Sequence, residues 1–373
     1  MSSHRIPIDD LAEALRDAYP ELERIAAADG DRVYLVGGAV RDLLLGRGRA
    51  DIDLAVVGDP LELAAALGAP ALAEHGRFAT AKVDLDGHEV DIAAARTETY
   101  ERPGALPTVS PADSIEADLG RRDFTINAMA VPLVRPGDLI DPHGGRADLE
   151  AAQLRVLHAG SFRDDPTRAI RAARYAARFG FGLEPETAEL LRRTELGTVS
   201  ADRRRAELYR LAGEPTGPDG FALLAEWGLV ELRDGGVELA VAAVGVLESE
   251  AWRGEAARAD VVLAAALGPA GREGELAAVE PQRPSEGLEL ARSWAPVELV
   301  LARALGAEWL DDYVSRWRLV ELEIDGADLI AAGVPRGPAL GRGLRAALDA
   351  KVDGEAEGRE QELSIALKAA SAG

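Results

Sequence analysis

Apolar and polar residues alternate with two different periods in the two parts of the chain. As far as about residue 155, short runs with a period of two alternate with short helical patterns and glycine turns. The segments "RVYLV" and "ADIDLAVV" predict strands, "AVRDLLLG" between them predicts a short helix, and "FATAKVDLDGHEVDIAAAR" predicts a β-hairpin around Asp86-Gly87. From Asp165 onward almost every segment has the period of an amphipathic helix. These patterns predict an α+β domain followed by an all-α remainder.

Two segments of the first domain have patterns of their own. Over residues 8–29, apolar side chains such as Leu11, Leu15 and Leu22 recur at helical spacing, which predicts one amphipathic helix. Residues 96–119 combine few apolar side chains with three prolines and show no period. We therefore expect a mobile loop in that second segment.

The composition excludes several kinds of chemistry. With 373 residues, two or more domains are expected. The absence of cysteine excludes disulfides, thiolate zinc sites and a cysteine nucleophile. The five histidines all precede residue 159, so the C-terminal half cannot hold a His-Asp metal phosphohydrolase site. No apolar run approaches the length of a membrane span and the first 20 residues lack the pattern of a signal peptide, so a cytoplasmic protein with no membrane partner is expected.

Charge is distributed unevenly along the chain. The formal net charge is −23, which argues against a nucleic-acid partner when it is taken alone. Residues 155–210, however, carry 12 Lys and Arg against 8 Asp and Glu, a net charge of +4, whereas both flanking segments are acidic. An acidic chain can therefore still contain a local cationic groove.

The segment "LVGGAVRDLLLGRGRADIDLAV" combines features of phosphate and metal binding. In a strand, Asp51 and Asp53 point to the same face, and two adjacent carboxylates suit a hard divalent cation such as Mg²⁺. The glycine pair allows a phosphate to approach the backbone, and Arg41 follows on the first helical turn. A third carboxylate would come from the hairpin, where Asp91 is preferred to Glu89. Taken singly, these features also occur in ordinary tight turns and solvated strands.

A row of arginines marks the start of the helical part. Arg168, Arg171, Arg174 and Arg178 occupy a stripe ~120° wide on one helix. Such a stripe is either a solvated face or a surface that binds an anion.

Several motifs, taken in order, resemble those of a known family. The segments "LVGGAVRDLLLG…DIDLAV", "RRDFTINAMAV", "DPHGGRADL", "SFRDDPTRAIRAARYAARFGF" and "VSADRRRAEL" follow the order seen in class II tRNA nucleotidyltransferases. These are the bacterial CCA-adding enzymes and their poly(A) polymerase relatives. The resemblance covers residues 30–212 closely and returns at residues 324–354.

The resemblance implies a fold, a reaction and partners. It implies a polymerase-β-type head with a mixed, mainly antiparallel sheet (residues 1–155), then a helical neck (156–215), body (216–300) and tRNA-holding tail (301–373). It further implies template-independent addition of C and A, from CTP and ATP, to the 3′ end of tRNA, with Mg²⁺ as cofactor. The metal pair would be Asp51 and Asp53, with Asp91 as the third catalytic carboxylate. The implied nucleotide-binding residues are Gly37, Gly38, Arg41, Arg122, Asp123, Asn127, Asp165, Arg168, Arg171 and Arg174.

Among these residues, Asp165 and Arg168 are the ones that the resemblance assigns to base selection. Cytosine and adenine each present a donor beside an acceptor on the Watson–Crick edge, and uracil and guanine present the reverse order. An Asp acceptor beside an Arg donor therefore matches C and A, and we call Asp165 and Arg168 the base-selecting pair. The sequence departs from the usual family pattern at Asp164, where Glu is common, and at Pro166. Because proline favours a first helical turn, Asp165 is alternatively a helix N-cap.

Related activities share these motifs, and the sequence favours some of them. The full-length segment 96–119 weighs against a CC-only enzyme, because the family associates it with the change from C to A. Poly(A) synthesis is disfavoured because a hydrophobic-Gly-basic-basic-Phe element is missing and the C-terminus is acidic. A-only addition stays open. A non-catalytic RNA-binding paralogue is disfavoured by the intact carboxylates and Arg168, and a small-molecule nucleotidyltransferase would not need the arginine stripe.

Overall fold

The computed structural model describes residues 6–68, 71–75, 80–85, 87–269 and 271–372. The chain forms two compact units, one of Met1–Leu208 with Glu226–Leu229 and the other of Tyr209–Ala225 with Val230–Gly373. The predicted division into head, neck, body and tail stays a prediction.

The first unit combines strands with mostly short helices, as the residue patterns predict. Its strands are β1 (Val33–Val36), β2 (Ile52–Val56), β3 (Ala71–His75), β4 (Thr80–Leu85), β5 (His88–Ala94), β6 (Arg96–Thr99), β7 (Thr108–Pro111), β8 (Ala130–Pro132), β9 (Gln153–Leu154) and β10 (Gly182–Leu183). Its helices are α1 (Leu11–Ala18), α2 (Leu22–Asp29), α3 (Gly38–Leu44), α4 (Pro60–Ala66), α5 (Ile115–Leu119), α6 (Gly145–Glu150), α7 (Ser161–Asp164), α8 (Thr167–Phe179), α9 (Pro185–Leu191) and α10 (Ala201–Gly213), which continues into the second unit.

Six strands of the described residues form one mixed sheet in the order β3-β4-β5-β2-β1-β8. Neighbouring strands are antiparallel except β2 and β5, which run parallel. Alternation in β2 buries Ile52 and Leu54 and leaves Asp53 on the opposite, exposed face. The parallel register places Asp53 directly beside Asp91 of β5. Burial of the apolar face thus sets the side of the sheet on which the carboxylates stand.

The strands and turns predicted around this sheet are confirmed, with small differences at their ends. Strand β2 begins at Ile52, so Asp51 lies just before it. The hairpin is formed by β4 and β5, with Gly87 at a φ of 85°, and Asp86 of the predicted turn lies outside the described residues. The mixed, mainly antiparallel sheet agrees with the fold class that the sequence predicts.

Two predictions for the first unit were wrong. Residues 8–29 form two helices, because Pro20 lacks the N–H that a continuous helix needs and the chain breaks between α1 and α2. Residues 96–119 are not a structureless loop. They form the antiparallel pair β6 and β7 followed by α5, and the pairing of Arg96 with Pro111 and of Thr99 with Thr108 fixes the register. We call residues 96–111 the ribbon.

The second unit is helical. Beyond the end of α10 it contains α11 (Gly217–Glu226), α12 (Gly236–Glu248), α13 (Arg258–Leu267), α14 (Glu273–Ala277), α15 (Pro284–Ala291), α16 (Pro296–Ala304), α17 (Leu310–Ser315), α18 (Gly326–Ala331), α19 (Pro338–Val352) and α20 (Gly358–Ser371). Leu329, Ala347 and Ala366 form a small core that joins α18, α19 and α20. None of the helices in the described part of the chain has the length and apolar character needed to cross a membrane.

Candidate functional site

A cavity of about 480 Å³ opens on the first unit, and its volume suits a small-molecule ligand. All of the nucleotide-binding residues that the sequence predicts line it, and so does Asp53, whereas Asp51 and Asp91 are not part of its wall. The complete lining is Gly37, Gly38, Arg41, Asp53, Arg96, Glu98, Tyr100, Pro107, Arg121, Arg122, Asp123, Asn127, Asp165, Arg168, Arg171, Arg174, Tyr175, Arg178 and Arg203.

The cavity is cationic although the whole chain is acidic. Its lining contains nine arginines and four carboxylates. Asp42 and Asp118, just outside the lining, form ion pairs with some of these arginines, and a positive excess remains when both are counted. Converging guanidinium groups in a concave site favour a ligand with several negative charges.

The turn after β1 brings the backbone close to this charge. Gly37 has a φ of 65° and precedes helix α3. A Cβ atom at Gly37 would require a strained backbone conformation, and it would lie 2.8 Å from Nη1 of Arg122 and displace that guanidinium. The glycine pair therefore exposes backbone at the cavity wall, as the sequence predicts.

Arg41 is held in place before any ligand arrives. Its Nε donates to Asp42 at 2.8 Å, and its Nη1 donates to the side-chain oxygen of Asn127 at 2.6 Å. The guanidinium also lies 4.6 Å from the ring centre of Phe179, and the residue is only 4% exposed. These contacts preorganise the positive charge at the cavity wall.

Asp123 ties the sheet domain to helix α8. Its Oδ2 accepts from Nε of Arg171 at 2.8 Å, and its Oδ1 accepts from Asn127 Nδ2 at 2.9 Å and from the backbone N–H of Phe124. Burial alone would raise the pKa of this carboxyl, but Arg171 and the hydrogen bonds outweigh it and lower the pKa to about 2. Asp123 is therefore ionised at neutral pH, and it fixes both Arg171 and Asn127.

The paired carboxylates have the donor chemistry of a cation site, because Asp53 and Asp91 stand side by side on neighbouring strands. Asp53 is exposed on its face of the sheet, but neighbouring groups displace part of its water. This partial loss of water, and then the negative charge of Asp91, raise the pKa of the Asp53 carboxyl, and Asp51 adds to this effect. Lys82 of β4 lies 3.6 Å from Asp91 and 3.3 Å from Glu89. No group of three acidic or histidine side chains is arranged to hold a metal ion in the described part of the chain. The adjacent carboxylates nevertheless fit a hard divalent cation whose other ligands come from water or phosphate.

Asp165 has contacts typical of a helix start and also faces the cavity. Its Oδ1 accepts from the backbone N–H of Thr167 at 3.1 Å, from the Thr167 hydroxyl at 2.7 Å and from Arg203 at 2.9 Å. These three contacts all use Oδ1, so Oδ2 can accept from a ligand. The two roles that the sequence leaves open for Asp165 are thus compatible.

Arg168 is fixed by neighbours from two other segments. It is 5% exposed, Nη1 donates to the Ser161 hydroxyl at 3.0 Å, and Nη2 donates to the backbone oxygen of Arg121 at 2.8 Å. Arg171, Arg174 and Arg178 of the stripe also line the cavity. The stripe therefore forms part of the cavity wall, with Arg168 buried and Arg178 exposed, and its role in binding an anion stays a prediction.

Sequence reasoning missed the part of the site that the ribbon contributes. Glu98 of β6 accepts from Arg121 Nη1 at 3.2 Å and from the Tyr100 hydroxyl at 2.9 Å. Burial and the charge of Glu98 raise the pKa of Tyr100 to about 12, so its hydroxyl keeps its proton. The motif "VSADRRRAEL" contained a usable signal for Arg203, but nothing local to the ribbon indicated that it would reach this cavity.

The chain is similar in sequence to several known proteins. Residues 33–155 match the model of the poly A polymerase head domain. The A-adding tRNA nucleotidyltransferase of Halalkalibacterium halodurans is 41% identical over 55% of this chain and 51% of its own length. The CC-adding tRNA nucleotidyltransferase of Deinococcus radiodurans is 33% identical over 87% of this chain and 85% of its own. The CCA-adding enzyme of Geobacillus stearothermophilus is 31% identical over 90% of this chain and 92% of its own length.

Solved structures agree with this similarity. A CCA-adding enzyme in complex with ATP has a TM-score of 0.76 and 27% identity, covering 96% of this chain and 98% of its own. The Thermotoga maritima CCA-adding enzyme complexed with tRNA has a TM-score of 0.71 at 27% identity and the same coverage. The chain spans about half or less of the length of three A-adding relatives, between 20% and 51%.

Proposed function

Because the chain belongs to the tRNA nucleotidyltransferase family, we propose that it adds nucleotides from CTP and ATP to the 3′ end of tRNA, without a nucleic-acid template and with release of pyrophosphate. The observation that carries the proposal is the arginine-lined cavity, in which a wall of guanidinium groups, the carboxylate of Asp53 and the base-selecting pair face one space. The proposed product is a complete CCA end.

The chain's own groups account for binding of the nucleotide. The preorganised Arg41, with Arg122 and Arg174, offers donors to the triphosphate oxygens, and the Gly37 turn lets those oxygens approach the backbone. Asn127, held by Asp123, is available to the ribose or to a phosphate. Because these groups are fixed before binding, little side-chain entropy is lost when the ligand arrives.

The carboxylates would hold the cofactor, which we propose to be Mg²⁺. Asp51 and Asp53 would bind it, with Asp91 as the third carboxylate. When bound, the ion would favour ionisation of the 3′-hydroxyl and stabilise the negative charge of the departing pyrophosphate. The raised pKa of Asp53 is consistent with this role, because a cation would compensate the repulsion among the carboxylates.

Base selection is assigned to Asp165 and Arg168. A free acceptor on Asp165 Oδ2 and a guanidinium fixed by Ser161 match the donor and acceptor of cytosine and adenine. The order of donor and acceptor is reversed in uracil and guanine, so each wrong base faces an unpaired contact, at a cost of ~1–3 kcal/mol per pair.

Replacing Arg168 by alanine is expected to reduce discrimination against UTP and GTP by about tenfold or more, because one half of the base-selecting pair is lost. Steady-state incorporation of each of the four nucleotides, compared as kcat/KM, measures this. Arg178→Ala removes the same charge from the same helix and the same cavity wall but outside the base-selecting pair, so it should leave the ratio of kcat/KM between accepted and rejected nucleotides unchanged even if the overall rate falls. Unchanged discrimination in Arg168→Ala would refute the assignment.

A-only addition is the second candidate, because A-adding relatives reach 41% and 44% identity over part of the chain. Incubation of the purified protein with tRNA lacking its 3′ end and labelled CTP or ATP separates the activities. Incorporation of both nucleotides supports CCA addition. CTP alone indicates CC addition, and ATP incorporation only on tRNA ending in CC indicates A addition. Absence of incorporation on every substrate contradicts the proposal.

The helical remainder is proposed to bind the rest of the tRNA. We retain the division into head, neck, body and tail at residues 155, 215 and 300 as part of this proposal. It is supported by the structural similarity to the tRNA-bound Thermotoga enzyme, which extends over 96% of the chain.

A further inference from the structure

Arg203, near the start of α10, contacts two separate segments of the cavity wall. Its Nη1 donates to the backbone oxygens of Gly104 at 2.9 Å and Ala105 at 3.4 Å, and its Nη2 donates to Asp165 Oδ1 at 2.9 Å. The two acceptor sites are about 60 residues apart in sequence, and all of these residues belong to the first unit. A planar guanidinium can make both contacts at once because its donors point in fixed, diverging directions.

The tip of the ribbon is closely packed where Arg203 meets it. The Gly104 N–H donates to the backbone oxygen of Arg163 at 3.2 Å, and Gly104 has a φ of 68°. A Cβ atom at Gly104 would lie 2.5 Å from the backbone oxygen of Thr198. The tip therefore lies against both α7 and the turn before α10, and Pro107 beyond it lines the cavity.

The carboxylate of Asp165 is held by hydrogen bonds from two sides. Thr167 holds Oδ1 from the helix side, and Arg203 holds the same oxygen from α10. Together they fix the plane of the carboxylate and so the direction in which Oδ2 faces the cavity. Asp165 and Arg203 are 19% and 25% exposed at their side chains, so water competes only in part for these hydrogen bonds.

We propose that Arg203 is a positioning residue for base selection, which holds the carboxylate of Asp165 so that Oδ2 faces the cavity. This rests on the proposed function, because the selectivity is that of the nucleotidyl transfer. Without Arg203, Thr167 alone would hold Oδ1, and the carboxylate could turn its Oδ2 away from the cavity.

The test compares Arg203→Ala, Arg203→Lys and, as a control, Arg205→Ala. Arg205 lies on the same helix and is exposed, so its replacement removes the same charge away from the cavity. Each variant is incubated with tRNA lacking its 3′ end and each of the four nucleoside triphosphates in turn. The kcat and KM of each nucleotide are measured separately, and thermal unfolding is followed to check folding.

Discrimination between accepted and rejected nucleotides is expected to fall by about tenfold in Arg203→Ala, which corresponds to the loss of one charged hydrogen bond. Arg203→Lys is expected to stay impaired, because one ammonium group cannot contact both segments. Arg205→Ala should discriminate as the wild type does. If Arg203 had a purely structural role, Arg203→Ala would lower the stability and the overall rate of incorporation but leave the ratio of kcat/KM between accepted and rejected nucleotides unchanged.

The outcomes separate this inference from the proposed function. Wild-type discrimination in a folded Arg203→Ala, or in Arg203→Lys, overturns the inference. If Arg203→Ala does not fold, the lysine variant decides alone. A wild-type protein that incorporates no nucleotide refutes the proposed function itself, whereas an active wild type with unaffected Arg203 variants refutes the positioning role only.

Discussion

Replacement of Asp53 by alanine is expected to lower the rate of nucleotide incorporation by at least about 1000-fold. If the carboxylate pair holds the cation, the substitution removes a ligand, and the several kcal/mol of charge stabilisation that a metal supplies to such a reaction is lost. Folding should be unaffected, since Asp53 stands on the exposed face of β2 and the buried face keeps Ile52 and Leu54. Single-turnover incorporation measures the chemical step, and a filter assay measures tRNA binding, which should change little.

The neighbouring strand provides a matched control for this experiment. Asp91 and Glu89 lie on the same face of β5 and both contact Lys82, but only Asp91 stands opposite Asp53. Asp91→Ala should therefore resemble Asp53→Ala, whereas Glu89→Ala should keep the rate within a few-fold of the wild type. If Asp53→Ala keeps more than about a tenth of the wild-type rate, the metal assignment is wrong. If Glu89→Ala is the more damaging change on β5, then Glu89 is the third carboxylate.

The parts of the site that were predictable from the sequence depend on short-range rules. The conformational freedom of Gly37 explains why the first strand ends in a glycine turn before a helix. The period of two along the next strand places Asp53 on the face opposite its buried residues. The arginine stripe follows in the same way from the helical repeat. Sequence spacing places side chains on a face, but it does not state which other element covers that face. The sequence therefore did not show that the four arginines of the stripe line a cavity together with residues of the sheet domain.

The ribbon could not be predicted because its order comes from distant residues. Its prolines and polar residues resemble a loop locally, yet Glu98 is held by Arg121, and the backbone of Gly104 and Ala105 is held by Arg203. These partners are 23 and about 100 positions away along the chain. Tertiary hydrogen bonds thus outweigh local propensity here, as they often do in short strands.

The ion pair between Asp123 and Arg171 is expected to be the largest single polar contribution to the stability of the first unit. Asp123→Ala leaves Arg171 and Asn127 without their shared acceptor, and breaking a buried pair in this way costs ~3–5 kcal/mol. We expect Asp123→Ala to lower the free energy of unfolding by about 3 kcal/mol, near the lower end of this range, because the Arg171 side chain is 33% exposed and water can compensate in part. Urea unfolding followed by circular dichroism at pH 7 gives the free energy of unfolding of both proteins. Asp138→Ala is the matched control: its partner Arg135 lies at 3.5 Å on the surface, and an exposed pair contributes only ~0–1 kcal/mol.

The pH dependence of the same variant tests the cause of its instability. The pKa of Asp123 falls from 3.8 to about 2 on folding, so its ionised form stabilises the native state fully only above about pH 5, and this stabilisation is lost as the pH falls through 3.8 toward 2. The shift corresponds to ~2 kcal/mol. The difference in unfolding free energy between wild type and Asp123→Ala should therefore narrow between pH 5 and pH 3, while the difference for Asp138→Ala should stay small throughout. A difference that is constant over this range would mean that packing around Asp123, and not its charge, stabilises the junction between the sheet and α8.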